Sequence, residues 1–315
     1  MEPLLRPWLS ALHPYVPGRP AASEAGGLAS NESAFGASPK VADAVAAASG
    51  RLHRYPDPTA SGLREALARE HGVSPEQVLV GDGSDELIYL LSLAYVAQGG
   101  TIVCADPAYR LDEIPTVIVD GRVVGVPLVD WRHDLDAMAR VECDIAYVVN
   151  PHNPTGTVLD AASIRRFVDA SPARLVVIDE AYIHFAPAGS DSMALAREGR
   201  AVVLRTFSKA YGLAGARVGY LVGPKDVVND VRRVRAPFSV GTLPQVAALA
   251  ALGDAAHLAR VVAGTLRMRD GLVATLREAG FEPVPSATNF VLVPTGDADA
   301  LVTRFLDAGV SVRPG

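Results

Sequence analysis

Four short segments of this 315-residue chain carry side chains that could do chemistry together. The first is Thr206-Phe207-Ser208-Lys209, which follows a β-type run, with Arg217 eight residues past the lysine. Desolvation and a nearby cation make a lysine at a strand end nucleophilic, and Thr206, Ser208 and Arg217 are donors suited to a phosphate. The second is Leu175–Tyr182, an apolar run that delivers Asp179 at its end, where α/β proteins place ligands. An aspartate there can pair with a protonated ring nitrogen, or simply cap a helix. The third is Asn150-Pro151-His152-Asn153-Pro154-Thr155-Gly156, a rigid turn that offers the Asn153 amide as a donor, with a purely structural turn as the plainer alternative. The fourth is Gly81-Asp82-Gly83-Ser84-Asp85-Glu86, whose Gly83, Ser84 and Asp85 open a helix and aim N–H groups at an anion, unless they form an ordinary capped start.

Other chemistries lose their usual supports. Glu86 stands where a dinucleotide loop needs its third glycine, and there is no Walker P-loop, His-Glu-x-x-His or Gly-x-Ser-x-Gly segment. The seven histidines lack metal-ligand spacing, and two cysteines, Cys104 and Cys143, make neither a disulfide framework nor a thiolate site, so no metal is expected. A net charge of -6 without a Lys/Arg block argues against a nucleic-acid partner. A lysine, an aspartate, an asparagine, an arginine and an anion-binding helix start, all at strand ends, are the parts that pyridoxal 5′-phosphate needs.

The elements that must position these groups form an α/β pattern. Apolar β-type runs cover Gln77–Val80, Thr101–Ala105, Val123–Val129, Ile145–Asn150, Leu175–Asp179, Val202–Phe207 and Val218–Val222. Helical periodicity lies between them at Glu86–Val96, Ala161–Ala170 and Asp226–Arg235. Runs apolar throughout predict a mainly parallel central sheet covered on both faces. Beyond Pro244 the chain turns Ala/Leu-rich, which predicts long helices, then a strand at Phe290–Val293, a helix near Ala298–Ala308 and a strand at Val310–Arg313. The expected division is an N-terminal arm (1–28), a large domain (29–245) and a smaller α+β domain (246–315) that looks shortened. The proline-interrupted start is no signal peptide and no apolar run reaches a membrane span, so a soluble, cytoplasmic protein is expected.

The pattern resembles fold-type-I pyridoxal-phosphate aminotransferases, specifically the histidinol-phosphate aminotransferase branch. The resemblance runs from Tyr15-Val16-Pro17-Gly18 to Val312-Arg313-Pro314. Its markers are Ser30-Asn31-Glu32, Arg54-Tyr55-Pro56-Asp57, Gly83-Ser84-Asp85-Glu86, Asn153-Pro154-Thr155-Gly156, Asp179-Glu180-Ala181-Tyr182, Arg205-Thr206-Phe207-Ser208-Lys209 and Gly212–Tyr220. It implies that Lys209 holds the cofactor covalently and shuttles a proton, that Asp179 pairs with the ring nitrogen, and that Asn153 and Tyr182 contact the ring oxygen. Tyr109 would stack on the ring. Gly83, Ser84 and Asp85 would hold the phosphate together with Thr206, Ser208 and Arg217. Tyr55 would reach the other subunit's phosphate, implying a homodimer. Tyr15, Asn31 and Arg313 would meet the substrate, with L-glutamate as amino donor.

Three departures from the family pattern stand out. Asn31-Glu32-Ser33-Ala34 replaces Asn-Glu-Asn-Pro, and Asp112 and Glu113 occupy the region where a second tyrosine is common. Both carboxylates are expected to face solvent; by the substrate they would instead repel a phosphate dianion. The sequence also stops at Gly315, before the segment that carries the family's carboxylate-binding arginine, so either Arg313 or Arg19 substitutes, or the glutamate half-reaction is weak, or the sequence is a shortened one. The alternatives are a close paralogue acting on an aromatic or specialised-metabolite amine, a decarboxylase of the threonine-phosphate type, and a degenerate cofactor-binding dimer partner.

Overall fold

The computed structural model describes residues 5–12, 18–21, 23 and 26–314. Seven strands form one sheet: β1 (Val78–Asp82), β2 (Thr101–Asp106), β3 (Arg122–Pro127), β4 (Ile145–Val149), β5 (Leu175–Asp179), β6 (Val202–Thr206) and β7 (Val218–Val222). Their order is β1-β7-β6-β5-β4-β2-β3. All pairings are parallel except those of β7, which runs antiparallel to both β1 and β6. The eleven α-helices among the described residues are α1 (Pro39–Ser49), α2 (Ser61–His71), α3 (Gly83–Tyr95), α4 (Arg110–Ile118), α5 (Leu135–Met138), α6 (Ala161–Ala170), α7 (Met193–Arg197), α8 (Lys225–Val234), α9 (Thr242–Leu252), α10 (Ala255–Glu278) and α11 (Ala298–Asp307).

The central strands read as unbroken apolar runs because both faces are covered. On one face Ile102, Cys104, Ile145, Tyr147, Leu175, Val177 and Leu204 pack against Leu87, Ile88 and Leu91 of α3 and Val227, Val228 and Val231 of α8. On the other, Val103, Ala146, Val148, Val176, Ile178 and Val203 pack against residues of α2, α6 and α9. Parallel strands end on one edge of the sheet, and the reversed β7 begins there, so Arg217 arrives at the edge where Asp82, Asp179 and Thr206 close their strands.

Two expected strands did not form. Phe290–Val293 has no ladder partner; its Phe290 carbonyl accepts instead from Ser286 Oγ at 2.6 Å and Thr288 Oγ1 at 3.0 Å, local bonds that compete with strand pairing. Val310–Arg313 is reduced to one bridge, Gly27 with Ser311. Helices α1, α2 and α4 were not expected, and α4 contains Pro115. Among the described residues no single helix is long and apolar enough to cross a membrane.

Candidate active site

Lys209 lies just past β6, within the loop that leads back to β7. Its Nζ donates to the Ser30 carbonyl at 3.0 Å and stands 5.6 Å from the Tyr182 ring centre. Burial pushes its pKa below the ordinary lysine range; Asp85 and Glu32 oppose this, while the Arg217 cation adds to it. A larger neutral fraction is what a nucleophilic or proton-accepting amine requires. The Tyr182 hydroxyl accepts from Asn31 Nδ2 at 3.2 Å, and its ring meets Phe290 edge-on at 5.2 Å. Asn31 sits at φ 53°, a left-handed position that asparagine tolerates, and its carbonyl accepts from Asn289 Nδ2 at 3.0 Å.

Asp179 is 2% exposed and accepts the Ala181 N–H at 2.8 Å. Burial raises its pKa to about 7, against the pull of that N–H bond and of Lys209. The neighbouring Glu180 is held by Arg205, whose Nε and Nη2 both donate to Glu180 Oε2, at 2.9 and 2.7 Å, and by the Ser192 N–H. This buried ion pair fixes the end of β5 against β6. On the adjacent strand, Asn150 locks the loop after β4 by bonding Leu159 and Ser190. That loop carries Asn153, whose amide makes no hydrogen bond to the described residues.

The sheet edge also collects donors for an anion. Helix α3 starts at Gly83 without a side-chain cap, so the Ser84 and Asp85 N–H groups lie in its first turn. Thr206 Oγ1 lies 2.9 Å from Ser208 Oγ, Arg217 Nη1 lies 3.5 Å from the same atom, and Arg217 Nη2 pairs with Asp85 Oδ2 at 2.9 Å. Gly83 has φ +79° and the Arg217 guanidinium fills the space a Cβ would take. Tyr109, in the loop before α4, donates its hydroxyl to Asp85 Oδ1 at 3.2 Å.

These residues fit pyridoxal phosphate by the chemistry of the donors: an uncapped helix start, two hydroxyls and a guanidinium for a phosphate dianion, a buried carboxyl for a basic ring nitrogen, and a lysine of reduced basicity between them. Gly83, Ser84, Asp85, Tyr109, Asp179, Tyr182, Thr206, Ser208, Lys209, Arg217 and Asn31 form linked contacts or share strand ends. Tyr55 stands apart from these hydrogen bonds, 82% exposed and stacked on Phe238 at 4.6 Å. Tyr15 lies outside the described residues. Arg313 is exposed, and the Ser311 hydroxyl donates to the Arg19 carbonyl, which joins the two arginine-bearing segments.

The sequence reading missed Asn289 and Phe290 at this site, since long-range contacts from the C-terminal segment leave no local signal, and it named Ser30 only as a family marker, without the carbonyl that meets Lys209. It also misplaced Asp112, which is 1% exposed rather than solvent-facing: α4 turns it inward beneath the site.

A family model described as aminotransferase class I and II matches residues 24–315. The histidinol-phosphate aminotransferase of Moorella thermoacetica is 39% identical over 99% of this chain and 86% of its own length. An aromatic amino acid aminotransferase of Mycobacteroides abscessus is 40% identical over 99% of this chain and 91% of its own. The crystal structure of histidinol-phosphate aminotransferase from Sinorhizobium meliloti in complex with pyridoxal-5′-phosphate superposes with a TM-score of 0.92 at 33% identity, covering 99% of this chain and 89% of that one. A sheet edge that gathers a lysine, a buried aspartate and an anion cradle, with end-to-end likeness to enzymes that move amino groups, places the chain in one family: it belongs to the class I and II aminotransferases.

Proposed function

We propose that this enzyme uses pyridoxal phosphate to exchange an amino group between L-glutamate and histidinol phosphate. The observation that carries the substrate is the 38–40% identity, over 99% of this chain, to several proteins named histidinol-phosphate aminotransferase. When bound, the cofactor supplies an electrophilic carbon for the amine and a ring that withdraws electrons from the carbon being deprotonated.

The chain's own groups do the rest. Arg217, Thr206, Ser208 and the first N–H groups of α3 hold the phosphate. Asp179 holds a proton at the ring nitrogen, and the Asn153 amide is offered to the ring oxygen. Tyr109 is assigned to the ring face, Tyr182 covers Lys209 on one side, and the Lys209 amine accepts and returns the proton. Asn31 and Arg313 are assigned to substrate, and the exposed Tyr55–Phe238 pair supports a homodimer in which Tyr55 meets the other subunit. A cytoplasmic setting accords with two buried free thiols.

The test is amine exchange followed by the visible absorption of the cofactor-loaded protein and by 2-oxoglutarate formation. Conversion by both L-glutamate and histidinol phosphate supports the reading. Conversion by glutamate and phenylalanine or tyrosine, but not histidinol phosphate, favours the aromatic amino acid reading that the Mycobacteroides abscessus relative suggests. Lys209→Ala is expected to lower turnover by ~10⁴-fold, the upper end of what a positioned proton-transfer group contributes. Retention of wild-type turnover in that variant would remove Lys209 from the mechanism.

A further inference from the structure

Beneath the first turn of α4 a group of polar atoms lies inside the sheet face that carries Asp179. Asp112 is 1% exposed, and neither carboxyl oxygen has a hydrogen-bond partner among the described residues. Its backbone is engaged: the N–H donates to the Tyr109 carbonyl at 2.8 Å, and its carbonyl accepts from Thr116 Oγ1 at 3.1 Å. The Tyr147 phenol and the Ser92 hydroxyl are also buried without an aligned partner, and Cys104 is a buried thiol.

Register places these groups relative to Asp179. Ile102 pairs with Ile145 and Val103 with Ala146, so Cys104 comes level with Tyr147. Tyr147 pairs with Val177, and Asp179 follows two residues later on the same face. Asp179 therefore lies on the sheet face of Cys104 and Tyr147, and it differs from the buried Asp112 of α4 in one respect: Asp179 accepts an N–H bond, whereas Asp112 accepts none. Burying an unpaired charge costs far more than burying a neutral acid.

We propose that Asp112 is a positioning acid of the cofactor pocket: a second carboxyl behind Tyr109 that keeps its proton, so that Asp179 carries the charge presented to the ring nitrogen. The inference rests on the assignment of Asp179 to that nitrogen. Among the described residues, the titratable groups facing Asp112 are Asp179 from β5, Glu113 and Tyr109 from α4 and the loop before it, Cys104 from β2 and Tyr147 from β4, none of them a cation. Burial first, then the Asp179 and Glu113 charges, push Asp112 well above the carboxylate range. Unequal environments split a carboxyl pair into a proton-bearing member and a charged one.

Asp112→Asn keeps the shape and removes the titration. For the cofactor-free protein, the folding equilibrium of the variant is expected to gain on wild type by about tenfold per pH unit from about pH 5 upward, because the native acid binds a proton that the unfolded one has lost. A difference that stays flat with pH would overturn the proposal. In the cofactor-loaded protein, the pH midpoint of the visible absorption is expected to coincide in wild type and Asp112→Asn, since a protonated Asp112 and an asparagine are both neutral. A midpoint that falls in the variant would show that Asp112 carries a charge in wild type and would overturn the proposal. Should the asparagine variant not fold, Asp112→Leu gives the same melting comparison. An Asp179→Asn variant with unaltered cofactor absorption would show instead that the Asp179 assignment had failed.

Discussion

At the scale of single residues, Asp179 shows what the site costs the fold. Its carboxyl is buried at the end of β5, and burial lifts its pKa from 3.8 to about 7. An acid with a raised folded-state pKa contributes its full stability below the unfolded value and loses it as pH climbs to the folded one. At pH 8 the free protein therefore holds a charge in a place that disfavours it. Asp179→Asn should make the cofactor-free protein more stable at pH 8 by up to ~4 kcal/mol, at about 1.36 kcal/mol per unit, and by nothing at pH 3. The same substitution should lower turnover by ~10–100-fold, the worth of a charge-assisted hydrogen bond to the ring nitrogen. Chemical denaturation at the two pH values, beside steady-state rates, checks both halves. A variant less stable than wild type at pH 8 would contradict the assignment of burial as the dominant cause.

Elements decide which residues reach the edge together. Because β7 runs against β6, its first residue follows Arg217, whose guanidinium then lies over Gly83 at the start of α3. Gly83→Ala places a Cβ on that guanidinium and forces alanine into the left-handed region at φ +79°. The expected loss is ~1–2 kcal/mol of stability for the backbone alone, with ~10-fold weaker cofactor binding from the displaced arginine, measured by melting and by titration with pyridoxal phosphate. Removing the Arg205 side chain strands the fully buried Glu180, and Arg205→Met should cost ~3–5 kcal/mol. Much of this frame was legible: the apolar runs at Ile145, Leu175, Val202 and Val218 became strands because a doubly covered sheet writes itself as continuous hydrophobicity. Lys209, Asp179 and Arg217 were legible for the same reason, each standing next to such a run. Helix α4 was not, since Pro115 reads as a breaker, and with it went the inward turn of Asp112. The Phe290 segment misled in the opposite direction: it has strand composition, but Ser286 and Thr288 satisfy its backbone locally.

For the whole molecule, the buried titratable groups set a pH window for the cofactor-free fold. Burial lowers His71 and His152 to about 4 and His184 to about 3, and takes His133 well down as well. A base with a lowered folded-state pKa contributes stability above its unfolded value, near 6.5, and loses it as pH falls toward the folded one. Below about pH 6 these four histidines therefore pull stability down, and at lower pH Asp57, held well below the carboxylate range by the Ser61 hydroxyl, adds to the loss. Above about pH 6.5 the histidines are neutral in both states and contribute no further slope. Asp179 and Asp112, joined by Glu180 and Asp82, then favour the unfolded chain as pH rises, and the lowered Lys209 opposes them only in part. The melting temperature of the cofactor-free protein should therefore peak between about pH 6 and about pH 7 and fall on both sides. Pyridoxal phosphate should move the optimum upward, because a protonated ring nitrogen gives the Asp179 charge a partner and removes much of the alkaline penalty, on top of the stabilisation any bound ligand brings. Calorimetry of both forms across pH separates the two effects: ligand binding alone raises the whole curve, whereas pairing at Asp179 also shifts its maximum. A cofactor-free curve still rising at pH 8 would mean that the buried acids are not carrying the charges assigned to them.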